Sequence, residues 1–120
     1  MRTSVVALLM CVVLVLAPAA AADAITPFTD NPSIADSHPL HFDSWGVVGK
    51  DVVALQFTTG SPECFGVHAI VHQTPETVAI ELRGGTLPEA VGRACIMIAV
   101  SGSLQVHLDA SLGDRDVISL

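Results

Sequence analysis

The chain has 120 residues, of which 51% are hydrophobic, and a formal net charge of −7 at pH 7. Useful affinity for nucleic acid commonly takes about six to ten phosphate contacts, and the five Lys and Arg residues are too few and too scattered to supply them. An anionic membrane surface would repel the chain for the same reason, because clustered basic residues provide that attraction. The composition therefore excludes a nucleic-acid partner.

The N-terminus has the order of a secretory signal peptide. Arg2 precedes an apolar run at residues 5–16, and a stretch rich in alanine follows. We predict that residues 1–24 are removed on export, with cleavage after Ala22 or Ala24, which leaves no stable membrane span. The alternative is a retained membrane anchor, because the apolar stretch approaches the length that spans a bilayer. The expected location is the secreted fraction or the cell envelope.

Two further segments follow the signal peptide. Residues 25–40 are rich in Pro, Asp, Asn and Ser and show no apolar period. They predict an extended leader that is ordered only where Phe28 or Ile34 finds a groove. Residues 41–120 are long enough for one domain and too short for two, so we expect a single β domain there.

Apolar residues at every second position predict most of the strands of this domain. These strands are expected at residues 52–58, 67–72, 77–82 and 104–108, and two further short strands are expected at residues 42–48 and 117–120. The continuous apolar run at residues 95–100 predicts one more strand, buried on both faces. Gly84–Gly85 and the Ser-Gly-Ser sequence at residues 101–103 predict turns.

The spacing of turn residues predicts the fold class. Thr86 and Glu89 have the spacing of a capping box, so we expect at most one short helical turn between the strands. Turns recur about every 8 to 12 residues, which favours a small antiparallel β-sandwich, or a barrel-like fold, of about seven strands. The prediction is an all-β domain.

Cysteine chemistry supplies a covalent link for a domain of this size. Cys11 lies in the predicted signal peptide, so Cys64 and Cys95 form the one intramolecular pair that remains. Thiols outside the cytoplasm persist as disulfides. Closing a loop of about 30 residues would destabilise the unfolded chain by roughly 3 to 4 kcal/mol. The alternatives are a thiol nucleophile or a pair of metal ligands, which the lack of a C-x-x-C spacing disfavours.

Histidines are the most suggestive polar residues. His38, His41 and Asp43 are weak candidates for zinc or copper ligands, through imidazole nitrogens and carboxylate oxygens. Irregular segments seldom hold ligands rigidly, so we expect no metal site and no cofactor. Three other histidines fall at polar positions of strands and are expected to face solvent: His68, His72 and His107.

Two short motifs predict local structure. Gly113, Asp114 and Arg115 predict a turn before the last strand, in which Arg115 forms a fixed ion pair or bonds exposed carbonyls. Pro62 and Phe65 flank the cysteine at position 64 and are candidates for a contact surface.

A set of short motifs covers most of the chain beyond residue 41. The motifs are Gly60, Cys64-Phe65-Gly66, Thr74-Pro75-Glu76-Thr77-Val78, Ala94-Cys95 and Leu112-Gly113-Asp114-Arg115-Asp116-Val117. In these motifs the chain resembles the small exported proteins of mycobacteria and related actinobacteria. The resemblance implies an envelope or secreted location and a paired cysteine, and it supplies no catalytic residues.

Catalytic motifs are missing from the sequence. There is no G-x-S-x-G nucleophile elbow, and Gly84–Gly85 lacks the lysine and helix of a phosphate-binding loop. We therefore expect a non-catalytic module that binds an envelope or extracellular protein, peptide or lipid-like ligand, through one sheet face or the loops near Cys64. The alternative is a metal-binding or small hydrolytic protein that uses His38, His41 or the strand histidines.

Overall fold

A computed structural model describes residues 24–120, so the predicted signal peptide lies outside the described residues except for Ala24. These residues contain no helix long and apolar enough to cross a lipid bilayer. They contain one short 3-10 turn, Pro88–Ala90. The strands are β1 (Thr26–Phe28), β2 (Ala35–Pro39), β3 (Phe42–Gly49), β4 (Val52–Thr59), β5 (Phe65–Gln73), β6 (Thr77–Thr86), β7 (Val100–His107) and β8 (Asp116–Ser119).

The strands form two sheets, which confirms the predicted all-β fold. The first sheet has the order β1-β7-β4-β3, and the second has the order β2-β6-β5 with β8 also paired to β6. Both sheets are mixed rather than purely antiparallel, because β1 runs parallel to β7 and β8 runs parallel to β6. Each of these two strands connects to the opposite sheet instead of forming a hairpin with its neighbour, so no tight turn imposes an antiparallel direction.

The core lies between the inner faces of the two sheets. Its side chains come from alternate positions of the central strands, as their period-two spacing predicts. Burying one such side chain contributes about 1.5 to 3 kcal/mol. The most deeply buried are Val53, Leu55, Phe57, Val67, Val78, Ile80, Leu82 and Leu104.

Residues 25–40 belong to the sandwich and are not a separate leader. They contribute β1 and β2, which are edge strands of the two sheets. The ring of Phe28 packs against that of Phe57 with a centroid distance of 5.5 Å. Short edge strands of this kind are held by main-chain hydrogen bonds to one neighbour. They need no alternation of apolar residues, which is why the composition suggested irregular chain.

The apolar run at residues 95–100 is not the buried strand that its composition predicts. Only Val100 belongs to β7, where it pairs with Thr59 at the end of β4. Residues 95–99 extend past the end of β4, so no neighbouring strand faces them in the register of the sheet. They form an irregular segment at one end of the sandwich.

Glycine positions explain two further differences from the predictions. Gly85 lies within β6 and Gly102 within β7, not in turns. A Cβ at Gly102 would lie 2.7 Å from the rings of both Phe28 and Phe57, so a close approach selects glycine there.

The predicted capping box does not form, because Thr86 ends β6 and the 3-10 turn begins without a side-chain cap.

Candidate functional site

The disulfide joins two separate parts of the chain at one end of the sandwich. Cys64 and Cys95 are bonded, with their Cα atoms 6.1 Å apart. Cys64 is buried, its amide donates to the carbonyl of Ser61 at 3.1 Å, and its carbonyl accepts from the amide of Leu87 at 2.8 Å. Cys64 is therefore a fixed point to which the start of the 95–99 segment is attached. A disulfide suggests an oxidising compartment.

Residues 95–99 are held mainly by their two ends. Cys95 is tethered by the disulfide, and Val100 continues into β7. Among the described residues, none of the backbone hydrogen bonds outside the strands involves residues 95–99. The side chains are unusually exposed for apolar residues, with 67% for Ile96, 90% for Met97 and 50% for Ile98. The segment thus presents apolar side chains and unpaired main-chain groups at the surface.

A cavity of about 480 Å³ lies beside this segment, and we call it the inter-sheet cavity. One wall is the end of β4. A second is formed by β2 with the residue after it, the start of β5 and the end of β6, and the third is the 95–99 segment. Most of the lining is apolar or glycine. The lining residues are His38, Leu40, Thr58, Thr59, Gly60, Phe65, Gly85, Ile96, Met97, Ile98 and Ala99.

The lining of the cavity carries no acidic or basic residue apart from the imidazole of His38. The other polar side chains of the lining are those of Thr58, which is exposed, and Thr59, which is half-buried. A charged ligand would enter without a counter-ion, which is costly away from water. The net charge of −7 adds repulsion for anions. The arrangement is suited to a neutral, largely apolar ligand.

The structure places the predicted contact residues Pro62 and Phe65 on this side of the molecule. Phe65 is half-buried and lines the inter-sheet cavity, and its ring covers Gly60 so closely that a Cβ there would overlap it. Pro62 is exposed and lines a smaller neighbouring hollow of about 280 Å³, which Phe65 also borders. Phe65 is therefore a shared wall of two hollows, not a protruding aromatic contact.

The weak metal candidates do not converge. His38 lies on β2 with its ring over Gly84, and the ring of His41 stacks on Phe42 at a centroid distance of 6.3 Å. Asp43 follows on β3 and is exposed. Within residues 24–120, no group of three or more His, Cys, Asp or Glu side chains is placed to share a metal ion.

His68 has a partner that the sequence did not suggest. Its Nδ1 lies 2.9 Å from the carboxylate of Asp30, and the same carboxylate accepts from the amide of Ala69 at 2.8 Å. Asp30 also forms an isolated bridge with Val67, so it covers part of the free edge of β5. The pair closes a sheet edge, and His68 is not simply solvated. The remaining two strand histidines are exposed: His72 and His107.

Arg115 is bonded to carbonyls in the turn formed with Gly113 and Asp114. Gly113 has a φ of +57°, a left-handed conformation that favours glycine. The Arg115 guanidinium donates to the carbonyls of Leu112, Ala110, Ser111 and Thr74 and to the side-chain oxygen of Gln73. Among residues 24–120, the ion pairs do not include Arg115. The arginine therefore ties the turn to the β5–β6 hairpin.

A second apolar surface lies on the edge strand β3. Trp45 pairs with Leu55 and Val47 with Val53, so both face the same side of the sheet as the core. They are nevertheless 41% and 58% exposed, which means that the second sheet does not cover this part of the first. This surface is open to solvent and does not form an enclosed site.

The inter-sheet cavity was not predicted from the sequence. Its walls come from five separate segments, and only the apolar run next to Cys95 gave a local signal. An unbroken apolar run between a disulfide-bonded cysteine and the start of a strand can form the exposed wall of a cavity as well as a buried strand.

The chain matches no protein-family model, no curated protein and no solved structure.

Proposed function

We propose that the protein is an exported, non-catalytic binding module that holds a neutral apolar or amphiphilic small ligand, such as an acyl or alkyl chain, in the inter-sheet cavity. The observation that supports this proposal is the cavity of about 480 Å³, with a lining that is mostly apolar and free of Asp, Glu, Lys and Arg. Small-ligand sites usually have volumes of about 300 to 1,000 Å³ and a few polar groups that orient the ligand.

Burial of the exposed apolar side chains of the 95–99 segment would favour ligand binding. Ile96, Met97 and Ile98 remain at least half exposed, although each lines the cavity. A ligand that lies against them removes both its own and their apolar surface from water. Each methylene buried contributes about 0.8 kcal/mol, so affinity should increase with chain length until the cavity is filled.

Export is supported by three independent features. The N-terminal sequence has the charge, apolar run and small residues of a signal peptide. The Cys64–Cys95 disulfide is typical of an oxidising compartment. The short motifs around these cysteines resemble those of small exported actinobacterial proteins. A lipid-rich envelope would offer ligands with the chemistry that the cavity favours.

The chemistry of the lining supports binding and not catalysis. His38 is the one titratable residue of the lining. A nucleophile in the cavity would therefore lack a second charged group to orient its base, which activated nucleophiles usually require.

The test is a fluorescence titration with the neutral apolar probe N-phenyl-1-naphthylamine. Phe57 faces the core, so Thr59, two residues later on β4, points into the cavity, where it is half-buried. We expect the native protein to bind the probe and Thr59→Trp to bind it about tenfold more weakly, because the indole fills space that the probe needs.

Gln56→Trp is the matched control, because Gln56 lies on the opposite face of the same strand and is exposed. It should bind the probe as the native protein does. Ala99→Trp narrows the cavity from its other wall and should weaken binding in the same direction. Thermal unfolding shows whether each variant is folded. The proposal is wrong if the native protein does not bind the probe, or if all three folded variants bind it equally.

A further inference from the structure

Met97 is the most exposed apolar side chain of the 95–99 segment and lines the inter-sheet cavity, with 90% of its surface accessible. It is also the one methionine beyond residue 24 of the sequence. The two cysteines in the same part of the chain are joined as a disulfide. Met97 therefore carries the one reduced sulfur atom between residue 24 and the C-terminus, on a residue that is almost fully exposed.

A methionine in this position is chemically sensitive. Its thioether reacts with a hydroperoxide: the sulfur gains one oxygen atom and loses two electrons, the O–O bond breaks, and the hydroperoxide is reduced to water or an alcohol. No further oxidant or reductant is required. The product, a sulfoxide, replaces an apolar wall atom by a polar group.

We propose that Met97 is an oxidation site that controls occupancy of the inter-sheet cavity, and that its sulfoxide releases the neutral apolar ligand. This inference rests on the proposed function, because it concerns the regulation of the same site. The reduced side chain covers a bound ligand with a flexible, polarisable thioether, which adapts to irregular apolar shapes. The sulfoxide oxygen prefers water, and the 95–99 segment has no backbone bonds outside its ends that resist turning Met97 away from the cavity.

A bound ligand should also protect Met97 from oxidation. A ligand in the cavity covers Met97, so the oxidation rate of Met97 should fall when the cavity is occupied. An exposed methionine unconnected with the cavity would oxidise at the same rate with and without ligand. Protection by ligand is therefore a readout that a merely accessible methionine would not give.

The experiment treats the disulfide-bonded protein with hydrogen peroxide, with and without N-phenyl-1-naphthylamine. Oxidation is measured as the gain of one oxygen on the tryptic peptide between Arg93 and Arg115, after reduction of the disulfide. Probe affinity is then measured on protein whose Met97 is fully converted. We expect affinity to fall about tenfold, the size of the effect of unburying part of one methionine side chain.

Two variants complete the design. Met97→Leu keeps an apolar side chain of similar size that peroxide does not oxidise, so the affinity of this variant measured before peroxide treatment should equal the affinity measured after it. Met97→Gln carries a polar group of similar length and should bind weakly without peroxide. Because the side chain is exposed, neither change should unfold the protein.

The outcomes separate this inference from the proposed function. If untreated native protein does not bind the probe, the proposed function itself fails. If it binds, but complete oxidation of Met97 leaves affinity unchanged, or the probe gives Met97 no protection, the inference about Met97 is wrong while the binding function stands. A loss of affinity that Met97→Leu shows equally would also overturn it.

Discussion

Arg115 shows how one side chain can hold a connection that has little apolar content. Its guanidinium bonds to three carbonyls of its own turn and to Gln73 and Thr74 at the β5–β6 hairpin. The planar fork of an arginine can satisfy several acceptors in one geometry, which a lysine cannot. The acidic neighbours in the sequence suggested an ion pair or carbonyl bonds, and the structure has the carbonyl bonds.

Arg115→Ala should lower the free energy of unfolding by about 2 kcal/mol, because hydrogen bonds to charged groups contribute about 1.5 to 3 kcal/mol and some of these acceptors remain open to water. The free energy of unfolding of Arg115→Lys should lie between that of the native protein and that of Arg115→Ala. Urea denaturation measures the change. Arg93→Ala, at an exposed position, is the control and should change stability by less than about 0.5 kcal/mol. Equal effects at the two positions would show that the carbonyl bonds of Arg115 contribute nothing specific.

The edge strand β2 depends on a glycine in its neighbour. A Cβ at Gly85 would lie 2.6 Å from the carbonyl oxygen of Ala35 and 3.1 Å from the side chain of Ile34. The absence of a side chain thus lets β2 and the residue before it lie directly on β6. β2 carries His38 and is followed by Leu40, so the position of β2 also determines one wall of the cavity.

Gly85→Ala should destabilise the protein by about 1 to 3 kcal/mol, the usual cost of forcing atoms into a packed site. Gly46→Ala on the edge strand β3 is the matched control, because a Cβ there meets nothing within 4 Å. That control should be neutral or slightly stabilising, since alanine reduces the entropy of the unfolded chain. Chemical denaturation of the two variants checks the difference. If Gly85→Ala were as stable as Gly46→Ala, β2 would not be packed on β6 as described.

At the scale of the whole molecule, local patterns predicted most of the sheet strands. Period-two alternation located β4, β5, β6 and most of β7, since each of these strands has one face on the core. The strands β3 and β8 were predicted without such a pattern, and most of their residues are exposed. The strands β5 and β6 form a hairpin in which Gln73 pairs with Val78. The Cys64–Cys95 pairing was predictable because only two cysteines follow residue 24 of the sequence.

The features that sequence patterns missed depend on distant residues. β1 and β2 are defined by edge pairing, which leaves no periodic signal. Gly85 and Gly102 resemble turn residues in sequence, but each is selected by the close approach of another part of the chain. Residues 95–99 have the composition of a buried strand and lack a partner because β4 ends at Thr59. The cavity could not be predicted for the same reason, because segments far apart in the chain form its walls.

The central claim is that a neutral apolar ligand binds between the two sheets against the 95–99 segment. The most direct measurement is an NMR titration of the isotope-labelled, disulfide-bonded protein with N-phenyl-1-naphthylamine, followed through the backbone amide signals. We predict that the largest shifts occur at residues 96–99 and at Thr59 and Phe65, with saturation at one probe per chain. Shifts concentrated around Trp45 on β3, or no shifts at saturating probe, would contradict the account.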